Sequence, residues 1–299
     1  MLDYRKLEAL VAVIEEGSFE AAASRLCVTQ SAVSQRIRQL EEQERQLLVI
    51  REQPCRPTGR GQVLFRHALQ VRHLEQALES DDAGAGLSEW MTIPLAVNAD
   101  SLAFWFLKGL APFLQDNRIL LDLKVADQDR TEELMTSGHV LACLSSRSRS
   151  IQGCDMVPLG RMVYRCVMSS AFSNRYGFGK GEPGEFLKEA PAVIYNRDDD
   201  LHRKAMKQAG LEAFFASVPK HWVPDSIQFG EMVRRGLAYG MVPDLQRHSW
   251  PEGAEAFVEI APDTAVEVEL YWHVWSLASP KLKRLTQEVR RFTGELLEP

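Results

Sequence analysis

Between Phe19 and Leu40 the apolar residues recur every three or four positions, in two short runs. Phe19, Ala22, Ala23 and Leu26 make one stripe; Ala32, Val33, Ile37 and Leu40 make the next. Each run predicts an amphipathic helix, the first over Phe19 to Leu26 and the second from Gln30 to about Glu44. Ser18 and Thr29 stand immediately before them, where a side-chain oxygen caps the free amides of a first turn. Cys27 and Val28 are left as a turn whose valine plugs a small core, and a helix starting at Asp3 precedes the pair.

Opposite its apolar stripe the second helix shows Gln30, Ser31, Ser34, Gln35 and Arg38. Glutamine and serine match the donors and acceptors of base edges, and arginine reaches guanine or phosphate. Any solvated helix can show such a face; its place after a capped helix and a short apolar turn makes this one a candidate DNA reader. The N-terminal residues of such a helix meet the bases. Thr29, Gln30, Ser31 and Ser34 are therefore assigned to that end, and Gln35, Arg36 and Arg38 to phosphates or groove edges. Leu47 to Ile50 predicts a short strand, Gln53 to Pro57 a proline-rich turn, and Thr58 a cap for the next helix. Arg51, Arg56 and Arg60 then fall where a wing would face the DNA backbone or minor groove.

From Thr58 to about Ser80 the chain reads as one long helix. Leu64, Val71 and Leu78 are seven apart, with His67 and Leu74 between them, which fits a seam against another helix. The alternative is a helix packed on its own downstream domain. Asp81 to Gly86, D-D-A-G-A-G, predicts a break and a hinge.

Beyond the hinge the periodicity alternates between two and 3.6. Strands are expected at Met91–Val97, Ile119–Val125 and Val140–Leu144, with helices at Leu102–Leu114 and Thr131–Ser137. A second unit follows, with strands at Val163–Met168, Ala192–Tyr195 and Tyr239–Val242 and helices at Leu201–Ala209 and Ile227–Arg235. A closing helix, Pro280–Leu297, is expected to return to the first unit. This is an α/β pattern with a mostly parallel sheet covered by helices.

Residues 1 to about 62 resemble the winged helix-turn-helix of LysR-type transcriptional regulators. The likeness is carried by Leu7, Phe19, Ala22, Ala23, Leu26, Thr29-Gln30-Ser31-Ala32-Val33-Ser34, Ile37, Leu40-Glu41, Arg51, Thr58 and Gly61. Leu95 to Leu107, L-A-V-N-A-D-S-L-A-F-W-F-L, is similar to the branch of that family regulating arginine or lysine export, also described as inhibitors of chromosome initiation. Glu44-Arg45 departs from the apolar residue and glycine that usually end the family's recognition helix.

The resemblance implies a winged helix-turn-helix (1–60), a dimerising linker helix and hinge (61–90), and a two-lobed periplasmic-binding-protein-like effector domain. Lobe I is expected at 91–162 with 270–299, and lobe II at 163–269. It also implies promoter DNA, a basic amino-acid effector, a homodimer or homotetramer, and RNA polymerase as a candidate partner. The implied target is an exporter or an amino-acid metabolism gene.

Composition qualifies this picture. The formal net charge of −6 over 299 residues does not advertise nucleic acid, and residues 1–79 carry as many acids as bases. DNA binding must then rest on where the arginines sit. Five cysteines without a C-x-x-C spacing suggest neither zinc nor a disulfide framework, and Cys27, Cys143 and Cys166 are expected as buried thiols. The absence of a secretory signal or a bilayer-spanning apolar run predicts a cytoplasmic protein with no membrane partner.

Small ligands of such folds sit at the carboxyl ends of strands, between lobes. The leading candidates are Asn98, Ala99, Asp100 and Ser101, after the first strand, where Ser101 and the first helical amides suit a carboxylate. Asp127, Asp129, Asp198, Asp199 and Ser226 follow other strands; an acidic group among them suits the distal cation of a basic amino acid. His202 beside Asp198–Asp200 lacks the spacing of a metal site, and Gly177–Gly181 lacks the phosphate-binding pattern and reads as a mobile loop. No nucleophile–base set stands out, so neither an enzyme nor a cofactor is expected. The rivals to an effector-responsive regulator are an architectural DNA binder that inhibits replication initiation, and a solute-binding module.

Overall fold

The computed structural model describes residues 2–82, 90–126, 128–180, 183–215, 217–253, 256–262 and 264–298. Three helices open the chain: α1 (Tyr4–Glu16), α2 (Phe19–Arg25) and α3 (Gln30–Glu44). The expected caps are in place: Ser18 Oγ accepts from the Ala21 amide at 3.1 Å and Thr29 Oγ1 from the Ala32 amide at 3.2 Å. Ala22, Ala23, Val33, Ile37 and Leu40 are buried with Leu7, Leu10 and Val13 of α1 in one core. Each of the larger side chains contributes about 1.5–3 kcal/mol by leaving water. Cys27, expected to be buried, is instead exposed: it occupies the turn with φ 53°, which aims its thiol out of the core.

The departure at Glu44-Arg45 has a structural answer. Arg45 adopts the left-handed conformation, φ 55° and ψ 29°, that a glycine would take more cheaply. The entry to the wing is held by Glu41, whose Oε1 accepts from the amides of Leu48 (2.9 Å) and Val49 (3.4 Å). The wing itself is the pair β1 (Val49–Ile50) and β2 (Arg56–Pro57), antiparallel and shorter than expected. Helix α4 (Gly59–Asp82) follows and runs through Asp81 and Asp82, so the break expected from Asp81 begins later. The remainder of that break, Ala83 to Gly86, lies outside the described residues. A methyl group on Gly61 would overlap the Leu48 carbonyl, so only glycine lets α4 lie this close to the wing.

Lobe I is built from β3 (Met91–Val97), the turn α5 (Ala99–Ser101), a π-helical turn (Leu102–Phe106), α6 (Leu107–Asn117), β4 (Ile119–Val125), α7 (Gln128–Thr136) and β5 (Ala142–Ser145). The 16-residue β6 (Cys154–Ser169) then crosses into lobe II and is much longer than the strand expected at Val163–Met168. Lobe II holds α8 (Ser170–Tyr176), α9 (Pro183–Glu189), β7 (Ala192–Ile194), α10 (Leu201–Gln208), α11 (Glu212–Phe215), β8 (Lys220–Trp222), α12 (Ser226–Arg234), β9 (Gly240–Pro243), α13 (Asp244–Arg247) and β10 (Phe257–Glu259). Strand β11 (Val266–Trp275) returns antiparallel to β6, and α14 (Pro280–Leu296) packs back on α6 and lobe I.

A seven-stranded sheet runs β10-β6-β11-β5-β3-β4, with β9 also on β6; β7 and β8 pair separately. Strands β3, β4 and β5 are parallel, but the other pairings of the sheet are antiparallel, so it is not the mostly parallel sheet that the alternating pattern implies: the crossing strands and their neighbours run against one another. The two crossing strands are antiparallel, with a register shift at Leu270/Tyr271. This ribbon joins the lobes and leaves a cleft at the strand ends between them. No helix among the described residues is long and apolar enough to cross a membrane.

Candidate DNA-reading face and inter-lobe cleft

Helix α3 turns its apolar stripe inward and leaves Gln30, Ser31, Gln35 and Arg38 exposed with Ser34 half-buried among them, while Arg36, also half-buried, falls on the other side of the helix beside the apolar stripe. Thr29 and Ser31 share a hydroxyl–hydroxyl contact of 2.9 Å at the N-terminal end. Arg51 and Arg56 of the wing are exposed, and the Arg51 guanidinium lies 4.9 Å from the centre of the Phe19 ring. Apart from Arg36, these groups lie on the polar arc of α3 and on the wing, open to solvent. Arg60 behaves differently. Its Nε and Nη2 each lie 2.7 Å from Glu44 Oε2, so the guanidinium braces the end of α3 against the start of α4. Phosphate contact by Arg60 would first have to break that pair.

In the cleft, Asp100 is the centre. It sits half-buried on α5 in lobe I, accepting from the Tyr164 hydroxyl of β6 (2.6 Å, Oδ2) and the Ser226 hydroxyl of α12 (2.5 Å, Oδ1). Both carboxylate oxygens are thus engaged, one from β6 and one from α12. The π-helical turn follows immediately and buries Trp105 and Phe106. Such turns are frequent at functional sites.

Asp199 and Tyr195 come next to this centre. Asp199 accepts from the amides of Tyr195 (3.3 Å) and Leu201 (3.0 Å). Burial raises its pKa against those amides, and the Asp100 charge raises it further. Burial first, then Asp100, holds the Tyr164 hydroxyl well above its ordinary range; burial, then Asp100 and Asp225, does the same more mildly for Tyr195. The charges that shift these three groups are all carboxylates. The cleft is therefore an acidic, aromatic-lined place that favours a cation.

The other expected residues divide. Asn98 Oδ1 accepts from the Ser101 amide at 2.8 Å, and the buried Ser101 hydroxyl lies 3.9 Å from Met162 Sδ. An anion therefore cannot use the Ser101 groups without displacing these partners. Ala99 lies half-buried at the start of α5. Asp198 is exposed, its amide donating to Asn196 Oδ1. Asp127 and the side chain of Asp129 lie outside the described residues. His202 is fully buried in lobe II, its ring stacked 5.5 Å from Phe215. No metal-holding group of histidine, cysteine, aspartate or glutamate occurs among the described residues. Sequence reasoning missed Tyr164, Tyr195 and Asp225. Asp225 had a signal: it caps α12, taking the Gln228 amide at 2.8 Å.

Residues 4–62 match the model of the bacterial regulatory helix-turn-helix protein, lysR family. The chain is 39% identical over 296 residues to the transcriptional regulator ArgP of Photobacterium profundum, covering 99% of this chain and 98% of that protein. This chain belongs to the LysR family. The regulator also superposes on the crystal structure of ArgP from Mycobacterium tuberculosis with a TM-score of 0.86 at 39% identity, covering 100% and 99% of the two chains. Against full-length LysG of Corynebacterium glutamicum with bound effector Arg the TM-score is 0.84 at 28% identity, both chains covered completely. The regulator is thus a helix-turn-helix transcription factor with a two-lobed effector domain, in a family of regulators rather than enzymes.

Proposed function

We propose that this LysR-family regulator senses a basic amino acid, lysine or arginine, in the inter-lobe cleft and controls an exporter or amino-acid metabolism gene. The observation that carries the reading is Asp100 of lobe I, gripped by the hydroxyls of Tyr164 on the crossing strand and Ser226 of lobe II, with the carboxylates of Asp199 and Asp225 acting on the same groups. A cationic ligand replaces repulsion there with attraction. Likeness to LysG with bound effector Arg supports the same ligand class. Asn98, Ala99, Asp100, Asp199 and Ser226 are the proposed effector residues on this reading, with Tyr164, Tyr195 and Asp225 added and Asp198 and Ser101 in lesser roles.

DNA contact is assigned to Thr29, Gln30, Ser31, Ser34, Gln35, Arg36, Arg38, Arg51 and Arg56. Two heads must span half-sites about one helical turn apart, so the working form is a homodimer or a tetramer. It acts in the cytoplasm, where promoter DNA and its polymerase are. A ligand shifts the heads only by binding one arrangement better than another. The test is calorimetry with L-lysine, L-arginine and neutral amino acids, paired with promoter footprints. Heat and an altered footprint with a basic amino acid, and neither with leucine, are expected. Silence with every amino acid would overturn the sensor and leave the architectural binder.

A further inference from the structure

Helix α4 does more than space the head from the sensor. Four of its turns present one face to lobe I of the same chain. Gln62 Nε2 donates to the Ser137 carbonyl at 2.7 Å, satisfying a carbonyl just past the end of α7. Phe65, which is fully buried and belongs to the core of the reading head, lies 5.4 Å from the His139 ring. The Arg66 guanidinium lies 5.9 Å from the Trp275 ring at the end of β11, and the Arg66 backbone packs on Gly138. Gly138 has φ +81° and a Cβ there would come within 3.2 Å of Arg66 Cα, so the turn is shaped to the helix. Further along, Gln70 and Leu74 line a crevice with Leu141, Trp275 and Leu282. The steps 62, 66, 70 and 74 are one helical face.

The lobe side of this contact is equally well fixed. His139 Nδ1 lies 2.7 Å from Ser137 Oγ, and the His139 carbonyl accepts from Lys124 Nζ at 3.2 Å. Val140 and Leu141, next in sequence, enter the main core. Phe65 belongs on its own side to the buried core that includes Leu48, Leu64 and Leu69. Packed side chains in two cores that meet at one turn transmit displacement because neither core deforms continuously.

We propose that the reading head, α4 and lobe I move as one body, clamped at Gln62, Phe65 and Arg66, so that closure of the cleft displaces lobe II relative to the DNA-reading helix. Lobe II has the hinge ribbon β6–β11 as its connection to that body, and Asp100 and Ser226 face each other across the moving boundary. The closure step rests on the effector reading above; the clamp itself does not.

The experiment uses the full-length Gln62→Ala/Arg66→Ala variant, whose changes truncate polar side chains at the junction and leave the apolar core intact. The first readout needs no effector: amide hydrogen exchange of the intact protein. The clamp predicts that residues 137–141 and 62–70 both exchange at least about tenfold faster in the variant, with lobe II unchanged. Exchange within about twofold of the parent in both segments overturns it. The second readout adds L-arginine or L-lysine. The variant should bind the amino acid as the parent does while the footprint change shrinks by more than about half. A full footprint change in the variant overturns the coupling. If the parent gives no response to either amino acid, the effector reading fails, and the exchange readout still decides the clamp.

Discussion

Ser226 on lobe II donates a hydrogen bond of 2.5 Å to Asp100 on lobe I. The contact crosses the cleft, and Tyr164, on the strand common to both lobes, holds the other carboxylate oxygen. Asp100→Asn keeps the shape and removes the charge. Basic amino-acid binding should weaken by at least about tenfold, because hydrogen bonds to a charged group contribute about 1.5–3 kcal/mol. Ser226→Ala leaves the charge and removes the bridge. It should weaken binding by only a few fold, since a less populated closed form lowers apparent affinity in proportion. Calorimetry of both variants checks the order; equal affinities for Asp100→Asn and the parent would remove Asp100 from the site.

The reading face yields a second expectation. Gln30→Ala should cost about 1–3 kcal/mol at the cognate promoter and little on random duplex, as loss of a base contact does. Arg38→Ala should weaken both alike and reduce the salt-dependence slope by about one. Mobility shifts on cognate and scrambled DNA across a salt series distinguish the two. A Gln30→Ala protein with undiminished selectivity would move base reading elsewhere on α3.

His202 gives a pH dependence with a definite sign. Burial lowers its pKa from 6.5 to about 3. Above pH 6.5 the ring is neutral both folded and unfolded, and its contribution is fully present. As pH falls below 6.5 the unfolded chain takes up the proton first, so stability declines progressively toward the folded value near 3. The loss between pH 6.5 and 5.5 should be about 1 kcal/mol. His202→Phe, which keeps a ring against Phe215, should flatten that part of the profile in denaturant titrations. An unchanged slope would place the pH dependence in other groups.

The backbone at Arg45 supplies a fourth. Its left-handed conformation costs roughly 1–2 kcal/mol for a residue with a side chain. Arg45→Gly should therefore stabilise the protein by about 0.5–1 kcal/mol after the added freedom of the unfolded chain is counted. Gly61→Ala should act oppositely and strongly, since its methyl meets a backbone carbonyl with nowhere to go. Thermal melts of the two variants should move in opposite directions.

The head was legible because its signals are local. Caps, a three-to-four apolar period and a short turn lie within thirty residues, and Ser18, Thr29, Val33, Ile37 and Leu40 behave as read. Leu64 was misread for a reason that periodicity cannot reveal: a heptad position is also a core position when the head packs on the same helix. The cleft was half legible. Asp100, Asp199 and Ser226 follow strands or open helices, where ligand groups collect. Tyr164 lies inside the long β6, and nothing local separates a cleft-facing tyrosine from its strand neighbours. Strands β8 and β10 escaped because three residues are too few to show an alternation, whereas β11, V-E-V-E-L-Y-W-H-V-W, carries a visible alternation that the sequence reading missed. Cys27 looked apolar by neighbourhood, yet a positive φ turned it outward.

The β6–β11 ribbon makes the pivot independent of any surface loop. A protease cut near residues 177–180 would leave both halves laddered to each other, because the cleaved pieces still share the paired strands. Insertions and deletions in either lobe's loops can accordingly accumulate without loosening the axle on which the sensor turns.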